Sequence, residues 1–339
     1  MSSDSFVLQS TCKDGISRLR FSPKGNSESG KQLLLVSSWD CSVSLHDVEL
    51  NSLVSQYRHP AAVLDCCFGE SANKLYSGSL DRSVRCYDVE TKIDSKVGSH
   101  DNGVRCLEYN TSAGVLVSGG WDNCIKLWDV KRVGENCVQS VPQPGKVFAM
   151  DTYGHQIIVA HAGRTLHVYD MRNLDKPLEG TQDKTHTESP LKFQTRCIKV
   201  FPDQSAYAIG SIEGRVAVEY FNATKSKFAF RCHRKKDAND NETIYPVNSI
   251  AFHPKYGTFA TGGCDGSVSI WDAQNKKKIS QFSGYDTSIA SLDFSSDGSK
   301  LAIASSYTFE KGEIQNQPKD SIIIRNIKDE DVRPKARKK

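Results

Sequence analysis

The chain has 339 residues, 38% of them hydrophobic and 25% charged, with a net charge of +4. That balance supplies a large core and excludes a disordered tail or a coiled coil. The longest strictly aliphatic stretch, Leu33–Val36, is far short of a bilayer span, and the opening MSSDSFVLQSTCKDG has neither the basic start nor the apolar run of a secretory leader, so no membrane association and a cytosolic or nuclear place are expected.

In chain order, the first element is a short run, Phe6–Gln9, standing apart from the repeats that begin near Gly15. Four runs follow, SVSLHD, SVRCYD, IKLWD and LHVYD, ending at Asp47, Asp88, Asp129 and Asp170, each 41 residues after the last. RVAVEY, SVSIWD and the degenerate SIIIRN then end at Tyr220, Asp272 and Asn326, making seven copies. Within each unit an apolar strand (VLDCCF, VRCLEY, VNSIAF, IASLDF) precedes one ending in small residues (KLYSGS, VLVSGG, TFATGG, LAIASS). A tight acidic turn leads to the alternating third strand, and a polar fourth strand closes the unit. Period-two alternation with frequent turns predicts four-stranded antiparallel sheets, and no segment sustains a helical period.

A period near 41 with terminal WD dipeptides resembles the WD-repeat signature. The fold expected is all-β: a seven-bladed WD-repeat β-propeller over residues 1–327, one domain, followed by a basic C-terminal tail at 328–339. The last unit supplies only three strands, so Phe6–Gln9 is expected to join the last blade and close the ring, which removes exposed sheet edges. His59 lies 22 residues before Asp81, and His100 lies 22 before Asp122. In WD-repeat proteins such a loop His bonds the turn Asp, helped by a strand Ser and a third-strand aromatic, here Ser77 with Tyr87 and Ser118 with Trp128. These are structural pairs, because a buried carboxylate needs partners. A Ser-His-Asp hydrolase would need a nucleophile elbow, which the sequence lacks. No phosphate loop, H-E-x-x-H or EF-hand loop occurs either, so no enzyme is expected. The eleven cysteines are odd in number, contain no C-x-x-C and sit mostly in apolar runs. They read as small buried hydrophobes, with no metal and no cofactor.

Two constellations exceed what the fold demands. The residue before the turn acid is Trp39, Leu80, Trp121, Ala162, Ile212 and Cys264 in successive units. Tryptophan at two of these rim positions points to partner contact, the alternative being packing between blades. The second constellation is basic. Lys192–Lys236 holds ten Lys/Arg against three acids, so the positive charge belongs to one segment and not to a general nucleic-acid coat; no direct DNA binding is expected. Arg196 stands on an apolar first strand, Arg215 follows a Glu-Gly turn, and Arg231, His233, Arg234 and Lys235 follow an aromatic strand. The fifth unit also carries Glu219–Tyr220 where others have a WD-type pair. Arginine suits bidentate binding of carboxylate or phosphate. An internal salt bridge for Arg196, and a solvated loop for Arg234–Lys236, are the competing readings.

DGISRLRFSP, LLVSSWD, QTRC, SIEGRVAVEY, FAFRCHR, IYPVNSIAFHP, YGTFATGGCDG and LAIASSYTFE together resemble the Bub-type spindle-checkpoint propellers, from about Asp14 to Glu313. The messenger-RNA export propeller is the nearest relative of that family and shares some of these motifs. The resemblance implies a non-enzymatic adaptor whose upper face binds GLEBS segments of a checkpoint kinase and pseudokinase, short stretches with paired glutamates, at the positions of Trp39, Trp121 and Arg196. It implies a second site for phosphorylated threonine in MELT-type motifs of a kinetochore scaffold, at Arg215 and Arg231; the family commonly has Lys at the latter place. Recruitment of the kinases to kinetochores, membership of a ubiquitin-binding checkpoint complex, and a nuclear and kinetochore place with a cytoplasmic pool follow as expectations. The alternative is an export-type propeller that binds a nucleoporin GLEBS segment and RNA. The tail VRPKARKK suits either nuclear entry or solvated disorder.

Overall fold

A computed structural model describes residues 4–23, 31–131, 137–175, 178, 187–221 and 227–334. Seven four-stranded antiparallel sheets follow one another along the chain. Their innermost strands are Ile16–Phe21, Val63–Phe68, Val104–Asn110, Val147–Tyr153, Thr195–Val200, Val247–Phe252 and Ile289–Phe294. Each packs on the next, and the seventh packs on the first, so the ring is closed. In blades one to six the strands run outward in chain order. In blade seven the order from outside is Ser5–Val7, Ser321–Asn326, Lys300–Ser305, Ile289–Phe294. The closing strand is thus supplied by the N-terminus, one residue earlier than expected, with Phe6 opposite Ile324.

The alternating strands bury apolar side chains between blades rather than in one central mass. Between blades seven and one lie Leu19, Leu34, Ile322 and Ile324, all fully buried; each such side chain contributes roughly 1.5–3 kcal/mol. The small residues ending each second strand have a packing cause. A Cβ on Gly119 would stand 2.7 Å from Val147, and one on Gly262 only 2.5 Å from Ile289, so the next blade fits only against glycine.

Hydrogen bonds stitch the innermost strands across the blade boundaries. Asp65 accepts from the Leu107 N–H at 2.9 Å, Asp151 from Val200 at 2.7 Å, and Asp293 from Phe21 at 2.7 Å. Two features depart from the sequence reading. Residues 234–236 and 242–244 form a separate β-hairpin between blades five and six, not a plain loop. The boundary drawn after residue 327 also moves: Asp329–Val332 is a short helix whose Val332 is buried against blades six and seven, and its carbonyl accepts from Thr258 Oγ1 at 2.8 Å. Basic composition hid that one apolar anchor; residues 335–339 lie outside the described residues.

Candidate functional site

The His–Asp pairs define one face. His59 Nδ1 meets Asp81 at 3.0 Å and its Nε2 meets Ser77 Oγ at 2.7 Å; His100 does the same with Asp122 at 2.9 Å and Ser118 at 2.7 Å. Each pair ties the loop entering a blade to the turn between its second and third strands, so both sets of loops share what we call the upper face. Burial pushes the Asp81 and Asp122 carboxyls up, but bonds from Ser83 and His59, and from His100 and the Asp101 N–H, outweigh it and hold both below the usual carboxylate range. Trp128 Nε1 donates to Ser118 at 2.8 Å, completing the set expected in blade three. Blade two differs. Tyr57, not Tyr87, donates to Ser77 at 2.8 Å, while Tyr87 stacks on Tyr57 and bonds Ser55. His233, grouped by sequence with the basic candidates, is a third structural histidine: it meets Asp265 at 2.8 Å and Thr261 at 2.8 Å. The inserted hairpin stretches the His–Asp spacing from 22 to 32 residues and so hid the pair.

On the upper rim the residue before each turn acid bonds back to the loop entering its blade: Trp39 N–H to Gly15 O at 2.8 Å, Trp121 N–H to Gly103 O at 2.9 Å. Trp39 is 47% exposed. Trp121 is half-buried over Gly103 beside Leu80, and its indole N–H is enclosed without a hydrogen-bond partner among the described residues. Packing between blades therefore accounts for much of Trp121 but not for Trp39. Two further exposed aromatics, Phe193 and Phe309, lie on loops of this same face and escaped the sequence reading because neither occupies a repeat position.

The basic segment divides sharply. Arg234 pairs with Glu242 at 2.5 Å and donates to Glu213 O, Lys236 pairs with Asp240 at 2.6 Å, and Lys235 caps Asp265 O at 2.7 Å. These three cations are thus satisfied locally. Arg196, Arg215 and Arg231 make no ion pair or side-chain hydrogen bond among the described residues. Arg215 and Arg231 are directly opposed across the outer two strands of blade five, and like charges so placed repel unless an anion joins them. Beside them a 290 Å³ pocket is lined by Arg231, Arg234, Glu242, Lys278 and Trp271. Arg196 is half-buried at the upper end of the innermost strand of blade five. Arg196 stands on the innermost strand of blade five, and Arg215 and Arg231 on its outer two. Glu219, which replaces the repeat residue, is buried and accepts from Tyr207 Oη at 2.7 Å, so that substitution serves the blade itself.

Sequence reasoning also missed an ionic network along the channel. Arg20 and Arg18 both reach Glu108, Arg18 reaches Asp65 at 3.3 Å, and Lys199 bridges Asp151 at 2.6 Å and Glu108 at 3.4 Å. Burial would raise the Glu108 carboxyl, yet Arg20, Lys199 and Arg18 bring it down to about 2. These residues sit on innermost strands of five different blades, and only the ring arrangement brings them together. All eleven cysteines are free thiols, and burial pushes Cys66, Cys106 and Cys197 up to about 12, which makes them inert. Among the described residues no group of three or more His, Cys, Asp or Glu is placed to hold a metal ion.

Three stretches, 51–88, 92–129 and 231–272, match the model for the WD domain, G-beta repeat. Across the whole chain, the mitotic checkpoint protein BUB3.1 of Arabidopsis thaliana is 45% identical over 337 residues, covering 97% of this chain and 95% of that one. The chain belongs to the Bub3 family of mitotic checkpoint proteins. Within that family, bub-3 of Caenorhabditis elegans is 44% identical over 91% of this chain and 90% of its own. The Bub3 fold also extends beyond checkpoint proteins: the poly(A)+ RNA export protein of Schizosaccharomyces pombe is 34% identical, covering 96% of this chain and 91% of that one. The solved structure of U3-55K superposes with a TM-score of 0.79 at 18% identity over 96% of this chain and 99% of that one, a likeness of fold alone. Bub3 homology supports a mitotic checkpoint role for the chain.

Proposed function

We propose that the protein is a non-enzymatic checkpoint adaptor that holds two acidic partners at once. The upper face, with Trp39, Trp121 and Arg196, takes GLEBS segments of a checkpoint kinase and pseudokinase. The opposed pair Arg215 and Arg231 takes the phosphothreonine of MELT-type motifs in a kinetochore scaffold. Holding both raises the effective concentration of kinase near scaffold without new chemistry. The observation that carries this reading is selective neutralisation: Arg234, Lys235, Lys236 and Lys199 are satisfied internally, while Arg196, Arg215 and Arg231 are not. A phosphate bears a charge of about −1.5 to −2 at neutral pH, enough to relieve two opposed guanidinium groups. On this reading the protein works in the nucleus and at kinetochores in mitosis, with a cytoplasmic pool, and joins a ubiquitin-binding checkpoint complex.

Co-purification with tagged protein from cells arrested in mitosis and from interphase cells tests the proposal. Checkpoint kinases and phosphorylated scaffold in the mitotic sample support it. A nucleoporin and RNA in both samples would replace it with the export-type function, which similarity to the fission-yeast export protein keeps as the second reading.

A further inference from the structure

A second group of cations without an internal carboxylate lies at the lower end of blade six, on the face opposite the His–Asp loops. Lys255 stands in the turn between the first and second strands of that blade, Val247–Phe252 and Phe259–Gly263. Lys276 and Lys277 stand where the third strand, Val268–Asp272, turns into the fourth, Lys277–Phe282. Thr258, in the first of these turns, donates to the Val332 carbonyl at 2.8 Å, so the C-terminal helix brings Arg333 to the same end of the blade. All four residues are exposed, and none makes an ion pair among the described residues. Of the acids nearby, Asp272 accepts from the N–H and the side chain of Asn275 at 3.1 and 2.6 Å, and Asp331 accepts from the Lys328 N–H at 3.2 Å.

Past Pro334 the sequence adds Lys335, Arg337, Lys338 and Lys339. Five residues extend at most about 17 Å, so these charges stay within that reach of Pro334. The sector thus carries eight cations against the helix acids Asp329, Glu330 and Asp331. Its aromatic rings are engaged inside the molecule. Lys255 Nζ lies 4.9 Å from the centre of the Tyr256 ring, which stacks on His253, and Lys276 Nζ lies 4.7 Å from that of Phe228. Trp271 packs on Phe230. Single strands bind by stacking their bases on free aromatic faces, whereas a duplex backbone needs only cations spread along a surface.

We infer that the lower end of blade six, with Lys255, Lys276, Lys277, Arg333 and the basic residues that follow, is a site for the phosphate backbone of double-stranded DNA, bound without regard to sequence. Composition argued against direct DNA binding because the positive charge is concentrated in one segment of blade five; which cations elsewhere are left unpaired on one face is a property of the folded ring. The site lies away from the upper face, so it stands or falls independently of the adaptor reading and leaves Trp39, Trp121 and Arg196 accessible.

The test is fluorescence anisotropy of a short labelled duplex titrated with the full-length protein. The intact protein should bind in the micromolar range, and affinity should fall steeply as salt rises from about 50 to 200 mM. Lys276→Ala combined with Lys277→Ala should weaken binding about tenfold and make the slope of log affinity against log salt shallower by roughly two. A chain shortened after Pro334 should lose at least as much. Both variants should melt with the parent protein, because neither loses an ion pair among the described residues. No binding by the intact protein at about 50 mM salt, or variants that keep the parent slope, would overturn the inference. So would loss of duplex binding in Arg215→Ala combined with Arg231→Ala rather than in the lysine pair, which would move the site to blade five. Tighter binding of a single strand than of the duplex would sink it too.

Discussion

Blades three and five share a topology and use their polar residues in opposite ways. In blade three His100, Asp122, Ser118 and Trp128 satisfy one another, and no atom of the set is left for a partner except the indole of Trp121 beside it. Blade five has Glu213 at the turn, accepting from the Lys192 N–H at 2.8 Å, and no histidine among the described residues bonds it. Its third and fourth strands instead set Arg215 against Arg231. The difference separates residues that hold the fold from those that have no internal partner among the described residues. Both kinds include charged groups, and what distinguishes them is whether the complement is already inside the molecule.

Four experiments probe that contrast. Trp128→Ala should cost about 3–5 kcal/mol of stability, read by urea unfolding, because it empties a fully packed site and strips Ser118 of a donor; a cost under 1 kcal/mol would mean that blade three is not held by its internal set. Arg215→Ala should leave the unfolding midpoint within about 0.5 kcal/mol of the parent and weaken a MELT-type phosphopeptide by roughly 1.5–3 kcal/mol, or tenfold and more. An unchanged affinity would remove the phosphate-reader assignment. Acid titration comes third. Glu108 is held down to about 2, so its contribution is complete above the unfolded carboxyl value of about 4.3 and is lost as pH falls towards 2. Asp151 and Asp293, raised chiefly by burial, act in the opposite sense. Glu108→Gln should therefore show a flatter loss of stability between about pH 4.5 and 2 than the parent protein. The smallest effect is expected of Arg234→Ala: its charge is already met by Glu242, so phosphopeptide affinity should move less than about threefold, in keeping with the modest worth of such pairs. A loss matching that of Arg215→Ala would erase the line drawn between neutralised and free cations.

Much of this was legible from the chain. The 41-residue period fixes seven sheets, and the 22-residue His–Asp spacing identifies two of the three structural pairs. The third was hidden because the hairpin at 234–244 lengthens the interval. Tyr57 displaces Tyr87 at Ser77 because the two rings stack at 4.6 Å and only one hydroxyl faces the serine. The channel network depends on register between strands 40 to 90 residues and more apart, which periodicity does not encode. Val332 was obscured because a single apolar side chain among Asp, Glu, Arg and Lys leaves the local composition basic and polar, although that one contact docks the helix.

The pairing of Ser5–Val7 with Ser321–Asn326 has a consequence for how the protein is made. Ser5–Val7 is synthesised long before its partner strand, so the annulus stays unlatched until Ser321–Asn326 has been made, and the apolar edges of blades one and seven face solvent until then. Contacts of such sequence separation form slowly, and unlatched edges invite aggregation. A nascent chain stalled before residue 321 should therefore engage chaperones that the finished protein no longer needs.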